Sequence, residues 1–457
     1  MPNKEITKET PPTYARTANF CPLDIAIVGA GVAGLVAGYL LGRAGHRVTL
    51  FDSASELGEV GAGIQLTPNV TRLLIRWGVG EQLRKVGVVP PTFSLRRYAT
   101  GEVIGWRKWG DNMERDYGAP YCLAHRADLH KILLDLAKPY VVIRLNSTVV
   151  DINPSLPTLT LSSGEVVRTQ MIIGADGIHS RVRNVVVGSI DRPKPTGDAA
   201  YRAVVPSSEL LKDPDLAPFV EDGTNIWMGP RRHLVTYPLR NKELYNIVMA
   251  YPSPSTDEVT RPVDPAIMRN DFIDFEPRAR KLLALIKATS SWALMDHKPL
   301  DNWVHKDGKV CLLGDACHPM LPYRAQGAAM AIEDGAALGN LFSRITHPSQ
   351  IGKMLWAYQE IRHPRATAAQ LESRMNQRIF HLPDGPEQEA RDESMRQATV
   401  AAIKEANGEP ADDCVGSQNQ WADKQKNDRV FGYDIDAEVD KWWKEHESDF
   451  NILKAKM

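Results

Sequence analysis

Asp24-Ile-Ala-Ile-Val-Gly-Ala-Gly-Val-Ala-Gly34, continued by Leu35-Val-Ala-Gly-Tyr-Leu-Leu41 and, beyond Gly45, by Val48-Thr-Leu-Phe-Asp52, decides how this chain begins to fold. Ile25 to Val28 is a strand-length apolar run, Gly29 to Gly34 is a glycine turn, and an apolar helix follows until Gly45 stops it. With the strand that ends at Asp52 the stretch has the size of one βαβ unit, ~30 residues. The first two glycines permit a tight turn and close approach of a pyrophosphate to the backbone. The helix start offers unpaired N–H donors, and Asp52 can bond a ribose hydroxyl. A bare G-x-G-x-x-G would be weak, but here strand, helix, second strand and terminal acid agree. A dinucleotide site built on Gly29, Gly31, Gly34 and Asp52 is therefore the reading, over a glycine-rich packing turn.

The 457 residues carry 55 Lys and Arg against 56 Asp and Glu, a formal charge of −1. That balance excludes a polyanion binder, which needs an excess of cations, so no nucleic-acid partner is expected. A hydrophobic share of 43% in a chain of this length supports two or three structural units rather than disorder. Five scattered cysteines, Cys21, Cys122, Cys311, Cys317 and Cys414, form no C-x-x-C pair. This disfavours a disulfide framework and a zinc site, and it points to a reducing compartment. The uncharged run from Ile25 to Gly42 is glycine-rich and falls short of the ~20 apolar residues of a bilayer span. The mixed charges before it do not fit a signal peptide. A cytoplasmic protein without a membrane span is expected.

Further along, Leu129, Ile132, Leu133 and Leu136 make one apolar helical face. A hairpin pattern runs from Thr158 to Val167, and Met171-Ile-Ile-Gly174 returns as a buried strand. From about 196 to 300 alternating strands dominate, as in Leu234-Val-Thr-Tyr-Pro-Leu239 and Tyr245-Asn-Ile-Val-Met-Ala250. Val310-Cys-Leu-Leu-Gly314 is another buried strand, and the chain is helical from Gly327 to about Phe342. After Pro364 it is mostly helical and charged, with breaks at Pro383-Asp-Gly-Pro386 and at Gly408 to Gly416. No internal repeat is present.

Two later stretches repeat the logic of an acid or glycine placed where a buried strand ends. One is Gly174-Ala-Asp176-Gly177-Ile-His-Ser-Arg181-Val-Arg183. The other is Gly314-Asp315-Ala-Cys-His318-Pro319, with Pro322-Tyr-Arg-Ala-Gln-Gly327 and Ala328 leading into a helix. Either alone is equally well a strand-to-turn signal. In this order, after the N-terminal glycine motif, the three resemble the motif set of the single-component flavoprotein aromatic hydroxylases. The resemblance covers roughly residues 24 to 370. Within that family the chain looks most like the fungal salicylate-hydroxylase-like branch, through Gly58-Glu-Val-Gly-Ala-Gly-Ile-Gln65, Ala200-Tyr-Arg-Ala203, Tyr237-Pro-Leu-Arg240 and Pro322 to Gly327.

The resemblance implies an α/β fold: a doubly wound Rossmann-type FAD-binding domain, an inserted mixed β-sheet substrate domain and a helical C-terminal extension. It divides the chain into an arm over 1–22, the FAD domain over 23–195 and 301–370, the substrate sheet over 196–300 and the extension over 371–457. Gly29, Gly31 and Gly34 would cradle the FAD pyrophosphate. Asp52 would take the adenosine ribose, where many relatives have Glu. Gly63 would lie beside the flavin, and Arg126 would contact the cofactor, against the alternative of an ion pair with Asp128. Asp176 would serve FAD and NAD(P)H, Asp315 the ribityl chain, and Gly327 and Ala328 the flavin pyrimidine edge. With no second glycine motif after a strand, NAD(P)H is expected as a transient co-substrate.

The family's chemistry uses NAD(P)H and O2 to hydroxylate a phenolic or aromatic carboxylate ring through a flavin C4a-hydroperoxide kept dry, in secondary metabolism or aromatic degradation. An electron-rich ring is required, so a cation or hydrogen-bond donor is expected beside the phenolate oxygen. Arg202 and Tyr237 are the catalytic candidates, with an ion-paired edge Arg and a packed Tyr as the bland alternatives; His233 is a weaker candidate base. His318 beside Cys317 is read as loop packing, with no metal expected. Trp442-Trp443 is read as a packing anchor. Two other functions stay open: a flavin-dependent reductase or dehydrogenase on the same fold without oxygen insertion, and a flavin-binding interaction protein without catalysis. The ring position attacked, NADH against NADPH and the oligomeric state are not set by these residues.

Overall fold

A computed structural model describes residues 14, 16–17, 19–58, 62–253 and 260–451. The arm expected over 1–22 lies mostly outside the described residues, as do Glu59, Val60 and Gly61 of the quoted Gly58–Gln65 stretch. Among the described residues no helix is long and apolar enough to cross a membrane.

The βαβ unit forms as expected: strand Asp24–Val28, helix Val32–Ala44 closed by Gly45 in the left-handed region, and strand Arg47–Phe51. These strands sit in a five-stranded sheet whose order is Val310–Leu312, Met171–Gly174, Asp24–Val28, Arg47–Phe51, Val141–Arg144. Every pairing in it is parallel. Strands buried on both faces need near-continuous apolar side chains, and Ile25, Ile27, Ile172, Ile173, Val310 and Leu312 supply them. Helix Gly327–Phe342 packs along helix Val32–Ala44, with Gly335 and Gly339 giving room to Val36 and Leu40. The antiparallel strands Val149–Asn153, Thr158–Leu161 and Val166–Arg168 feed Ile152, Leu159 and Leu161 into the same core.

The second layer is an eight-stranded mixed sheet ordered Arg261–Val263, Thr289–Asp296, Lys194–Pro206, Leu244–Pro252, Arg232–Leu239, Thr224–Gly229, Thr92–Arg97, Val103–Lys108. It is wider than the 196–300 interval expected from the sequence. Thr92–Arg97 joins it in parallel with Thr224–Gly229, and Val103–Lys108 then forms its edge. The chain thus visits this sheet twice, over 92–108 and again over 194–296, before Val310–Leu312 finishes the parallel sheet, and local periodicity does not report which sheet a strand joins. One face of the sheet packs Trp227, Tyr245, Ile247 and Met249 on Phe219, Met268, Phe272 and Leu282. The opposite face turns toward the dinucleotide half.

Helix Ile351–Phe380 continues through Pro364, and helix Pro386–Ala406 covers the edge strand, where Trp106 N–H donates to Thr399 Oγ1 at 2.9 Å. The last helix, Ile435–Asn451, packs Trp442 and Trp443 against the first core. Trp443 lies under the Arg344 guanidinium, 5.3 Å from it, so the pair acts as an anchor.

Two features lock the halves of the cofactor domain together. Glu333 and Asp334 are fully buried in the middle of helix Gly327–Phe342. Arg362, also fully buried, reaches Glu333 at 2.6 Å and Asp334 at 2.9 Å, and Arg365 reaches Glu333 at 2.7 Å. Burial alone would raise both carboxyls, but Arg365 and Arg362 at Glu333, and His318 and Arg362 at Asp334, outweigh it and hold both below their ordinary range. The second lock is His46, whose Nδ1 accepts from Leu23 N–H and whose Nε2–H donates to Phe342 O, each at 3.1 Å. Burial depresses its pKa to about 4, the Phe342 carbonyl opposing the shift.

Removing Arg362 leaves buried carboxylates short of a counter-ion, so Arg362→Met is expected to lose ~3–5 kcal/mol of stability in urea unfolding of the holoprotein. Because the neutral His46 ring is the folded form, its contribution is complete above pH 6.5, the model-compound value, and is lost as pH falls to about 4. That contribution is about 3 kcal/mol. The urea midpoint should therefore fall more steeply across this window than in His46→Gln.

Candidate active site

The three sequence motifs meet in one place. Gly29 has φ 104°, and a Cβ there would strike the Ala175 carbonyl, so the glycine turn lies directly on the strand end that carries Asp176. A Cβ on Gly34 would strike the Gly29 carbonyl. Gly31 alone faces open space, with nothing within 4 Å of an added Cβ. That is the surface a pyrophosphate needs at the start of a 13-residue helix. Gly314 packs against Ala33 and Ala331, which brings the third motif onto the first.

Arg183 ties the second motif to the third. Its fully buried guanidinium donates to Ala316 O at 2.7 Å, to Asp315 O at 2.7 Å and to Ile178 O at 2.8 Å. Asp334 completes the turn by accepting from Gly314 N–H at 3.1 Å and pairing with His318 Nε2 at 2.6 Å. Cys317 donates weakly to Gly314 O at 3.3 Å, and burial holds its thiol well above the ordinary value. Cys317, His318 and Asp334 do cluster closely enough to share an ion. Their hydrogen bonds instead tie the loop to the helix.

Asp315 itself points outward. Its side chain is accessible yet crowded by protein atoms, as on the wall of a deep cleft. Burial raises its pKa, while His318, Arg126 and Arg183 pull it down. Arg126 and Asp315, far apart in the chain, therefore share the cleft. Asp128 pairs with Arg240, at 2.8 and 2.9 Å. Arg126 N–H donates to Ala62 O, and His130 Nε2 bonds Ala30 O at 3.0 Å, so helix Arg126–Ala137 braces the glycine turn. Helix Gly327–Phe342 begins at the cleft with Gly327 and Ala328 only half-buried, and Gln326 donates to Thr67 Oγ1 at 3.2 Å.

Two acids are less free than the sequence implied. Asp52 accepts from Ala30 N–H at 2.7 Å and Ala54 N–H at 2.9 Å, so it fastens the glycine turn to the second strand and offers a ribose only its remaining lone pairs. Asp176 accepts from Ser180 Oγ and from the N–H groups of Arg181 and Val182, capping helix Arg181–Val187. Burial raises its pKa, and those donors oppose the rise.

The mixed sheet presents Arg202 and Tyr237 on the face turned to this cleft. Ser290, Arg202, Val248, Val235 and Ile226 are cross-strand neighbours in one row, and Tyr237 pairs with Asn246 in the next. Arg202, Val235, Val248 and Trp292 are only half-buried although they sit at the sheet centre, so they line a chamber. The Arg202 guanidinium lies 3.6 Å over the Trp292 ring. A Cβ on Gly63 would collide with the Tyr237 ring, and Gly63 N–H donates to Asn246 Oδ1 at 2.9 Å. Strand Gly63–Leu66 thus crosses the face beside Tyr237. Burial raises the Tyr237 pKa, with Arg202 and Gln65 opposing. His233 is set aside from this group: its Nδ1 bonds His381 Nε2 at 2.8 Å, and burial lowers its pKa.

Sequence reasoning did not single out Gln65, Tyr121, Asn246, Arg183 or Trp292. Only Gln65, which ends the quoted Gly58–Gln65 stretch, and Arg183, which ends the second motif, carried any signal.

The cleft has donors suited to a flavin dinucleotide, and comparison with known proteins agrees. The FAD binding domain pattern matches residues 22–373, and the chain belongs to that family of flavoproteins. Among its relatives, the FAD-dependent monooxygenase OpS4 of Beauveria bassiana is 36% identical over 92% of this chain and 97% of that protein. The 3-hydroxybenzoate 6-hydroxylase 1 of Aquipseudomonas alcaligenes is 34% identical over 79% of this chain and 91% of that protein. The structure of a salicylate hydroxylase substrate complex superposes with a TM-score of 0.74 at 25% identity, covering 92% of this chain and 98% of that one. The chain is accordingly an FAD-dependent oxidoreductase of the monooxygenase type.

Because the space beside Gly31 is open while Gly34 is closed by backbone, their alanine variants should separate. Gly31→Ala is expected to keep the thermal midpoint of the apoprotein and to weaken FAD binding at least ~10-fold, about 1.4 kcal/mol, by fluorescence titration. Gly34→Ala should lower the apoprotein midpoint itself.

Proposed function

We propose that this chain uses NAD(P)H and O2 to hydroxylate a phenolic or aromatic carboxylate small molecule, with Arg202 and Tyr237 as the residues that act on the substrate. The observation that carries the reading is the pairing of a cation and a phenol on one half-buried sheet face, pressed by Gly63 against the cofactor cleft. Bound FAD, reduced by NAD(P)H, supplies the oxygen-activating chemistry. This chain's residues do the rest. Gly31 and the helix start receive the pyrophosphate, Asp52 the ribose, Asp315 the ribityl hydroxyls, and Ala328 offers its N–H to the pyrimidine edge. Arg126 faces the same cleft, and Asp176 holds the loop beside it.

Ring hydroxylation requires charge on the substrate oxygen. Arg202, held flat on Trp292, stabilises a phenolate or carboxylate electrostatically, and the Tyr237 hydroxyl is placed to hydrogen-bond the same oxygen. The apolar rows around Val235, Val248 and Ile226 exclude water and so strengthen both interactions. The relatives bear names of hydroxybenzoate and aminohydroxybenzoate oxygenases, which favours a monocyclic aromatic acid or a phenol of similar polarity. The five cysteines are free, in keeping with a cytoplasmic setting.

The FAD-loaded protein, given NAD(P)H and a panel of salicylates, hydroxybenzoates and resorcinols, is expected to couple nicotinamide oxidation to a hydroxylated product carrying an atom from labelled O2. Turnover without label would make it a reductase or dehydrogenase instead. Arg202→Ala and Tyr237→Phe should each lower kcat for product formation by ~100-fold while FAD content is retained, with peroxide release rising as coupling fails.

A further inference from the structure

Tyr237 is held by a residue that is itself held. The Tyr121 ring is stacked on Trp109, centroids 4.3 Å apart, with Phe431 edge-on at 6.2 Å. Its hydroxyl donates to Gln65 Oε1 at 2.6 Å. Burial raises the Tyr121 pKa, so the group remains a phenol and its proton needs an acceptor. The Gln65 amide oxygen fills that need. Gly63 and Gln65 lie on one side of strand Gly63–Leu66, the side that packs on the Tyr237 hydroxyl, and since an amide has one acceptor end and one donor end, committing the oxygen to Tyr121 leaves the NH2 as the end available to Tyr237. Gln65 accordingly opposes the rise in the Tyr237 pKa, as a donor to its oxygen does, and Arg202 acts in the same direction by its charge.

Gln65 offers Tyr237 a donor and Arg202 acts on it by charge, so neither takes its proton. Among the described residues the Tyr237 O–H has no hydrogen-bond acceptor. Gly63 closes one side of the ring, the sheet closes another, and the half-buried Gln65, Val235 and Arg202 mark the open side as the chamber. Among the described residues, Arg324 is the other charged group acting on this arrangement; it bears on Tyr121 and carries no acceptor.

We propose that Gln65, oriented by Tyr121, is a positioning residue that makes Tyr237 a one-way hydrogen-bond donor into the substrate chamber, so that the site selects ligands with an anionic or ionising oxygen. This rests on the proposed function, since it concerns the same chamber. It adds that the direction of the catalytic hydrogen bond is set two residues away from the substrate.

The test uses the FAD-loaded protein and 4-nitrophenol, whose phenolate absorbs visible light and is read in difference spectra against ligand-free holoenzyme. Wild-type protein should lower the bound ligand's titration midpoint relative to free 4-nitrophenol. Gln65→Glu presents acceptors only, so Tyr237 turns its proton to Glu and the midpoint should rise by about one pH unit or more. The same variant should lose kcat by ~10-fold or more with a smaller change in KM for the true substrate. Tyr121→Phe, which deletes one oxygen and keeps the ring stack, frees the amide to flip and should give an intermediate shift. It also keeps the test available if Gln65→Glu does not load FAD.

A wild-type midpoint that is lowered but unchanged in a FAD-loaded variant, with kcat within about twofold, overturns the positioning role and leaves the function standing. Failure of wild-type protein to bind any phenol overturns the function reading itself.

Discussion

Two consecutive carboxylates, Glu333 and Asp334, buried without access to water in the middle of a helix, are the constraint on which the rest of this structure depends. Ions in such a place need counter-charge and hydrogen bonds in full. Arg362 and Arg365 provide the charge from the long helix, Asn69 donates to Glu333 at 2.6 Å from a third helix, and Gly314 N–H and His318 complete Asp334. The loop that bears Asp315 is thus oriented by the satisfaction of a buried ion. Arg183, donating to the other side of that loop, leaves it no freedom to turn the acid away from the cleft.

The substrate side obeys a different rule. There the polar groups are few and the geometry comes from strand register. Because side chains alternate across a strand, one register places Arg202, Val248 and Val235 in a row, and a slip by one residue would exchange them for the packed outer face of Tyr201, Met249 and Leu234. Asn246, seated on the same inner face, accepts from Gly63 N–H and so couples this register to strand Gly63–Leu66. The glycine-turn half and the mixed sheet are brought into contact here by one backbone hydrogen bond and one close ring contact.

These two rules explain what could be read from the sequence. The glycine turn was legible because its strand, helix and acid are neighbours in the chain, and so were the strand ends bearing Asp176 and Asp315. The roles of the acids were less legible. Asp52 and Asp176 bind backbone N–H groups first, a local geometry that a motif does not display. Arg202 and Tyr237 could be picked out only through resemblance, because their meeting requires Leu244–Pro252 to lie between their strands. Strands Thr92–Arg97 and Val103–Lys108 escaped assignment to the second sheet for the same reason. Gln65 and Tyr121 act through contacts that span 56 residues of chain, where spacing carries no information.

Residues beyond 373, where the family pattern ends, complete the wall behind the face of Arg202 and Tyr237: Trp421 packs on Phe93 at 4.6 Å and on Phe380 at 5.9 Å, under the Arg324 guanidinium. During synthesis on the ribosome this tryptophan emerges after every strand of both sheets. Every strand of both sheets is therefore made before the aromatic wall can close, which makes its closure a late step of folding during translation.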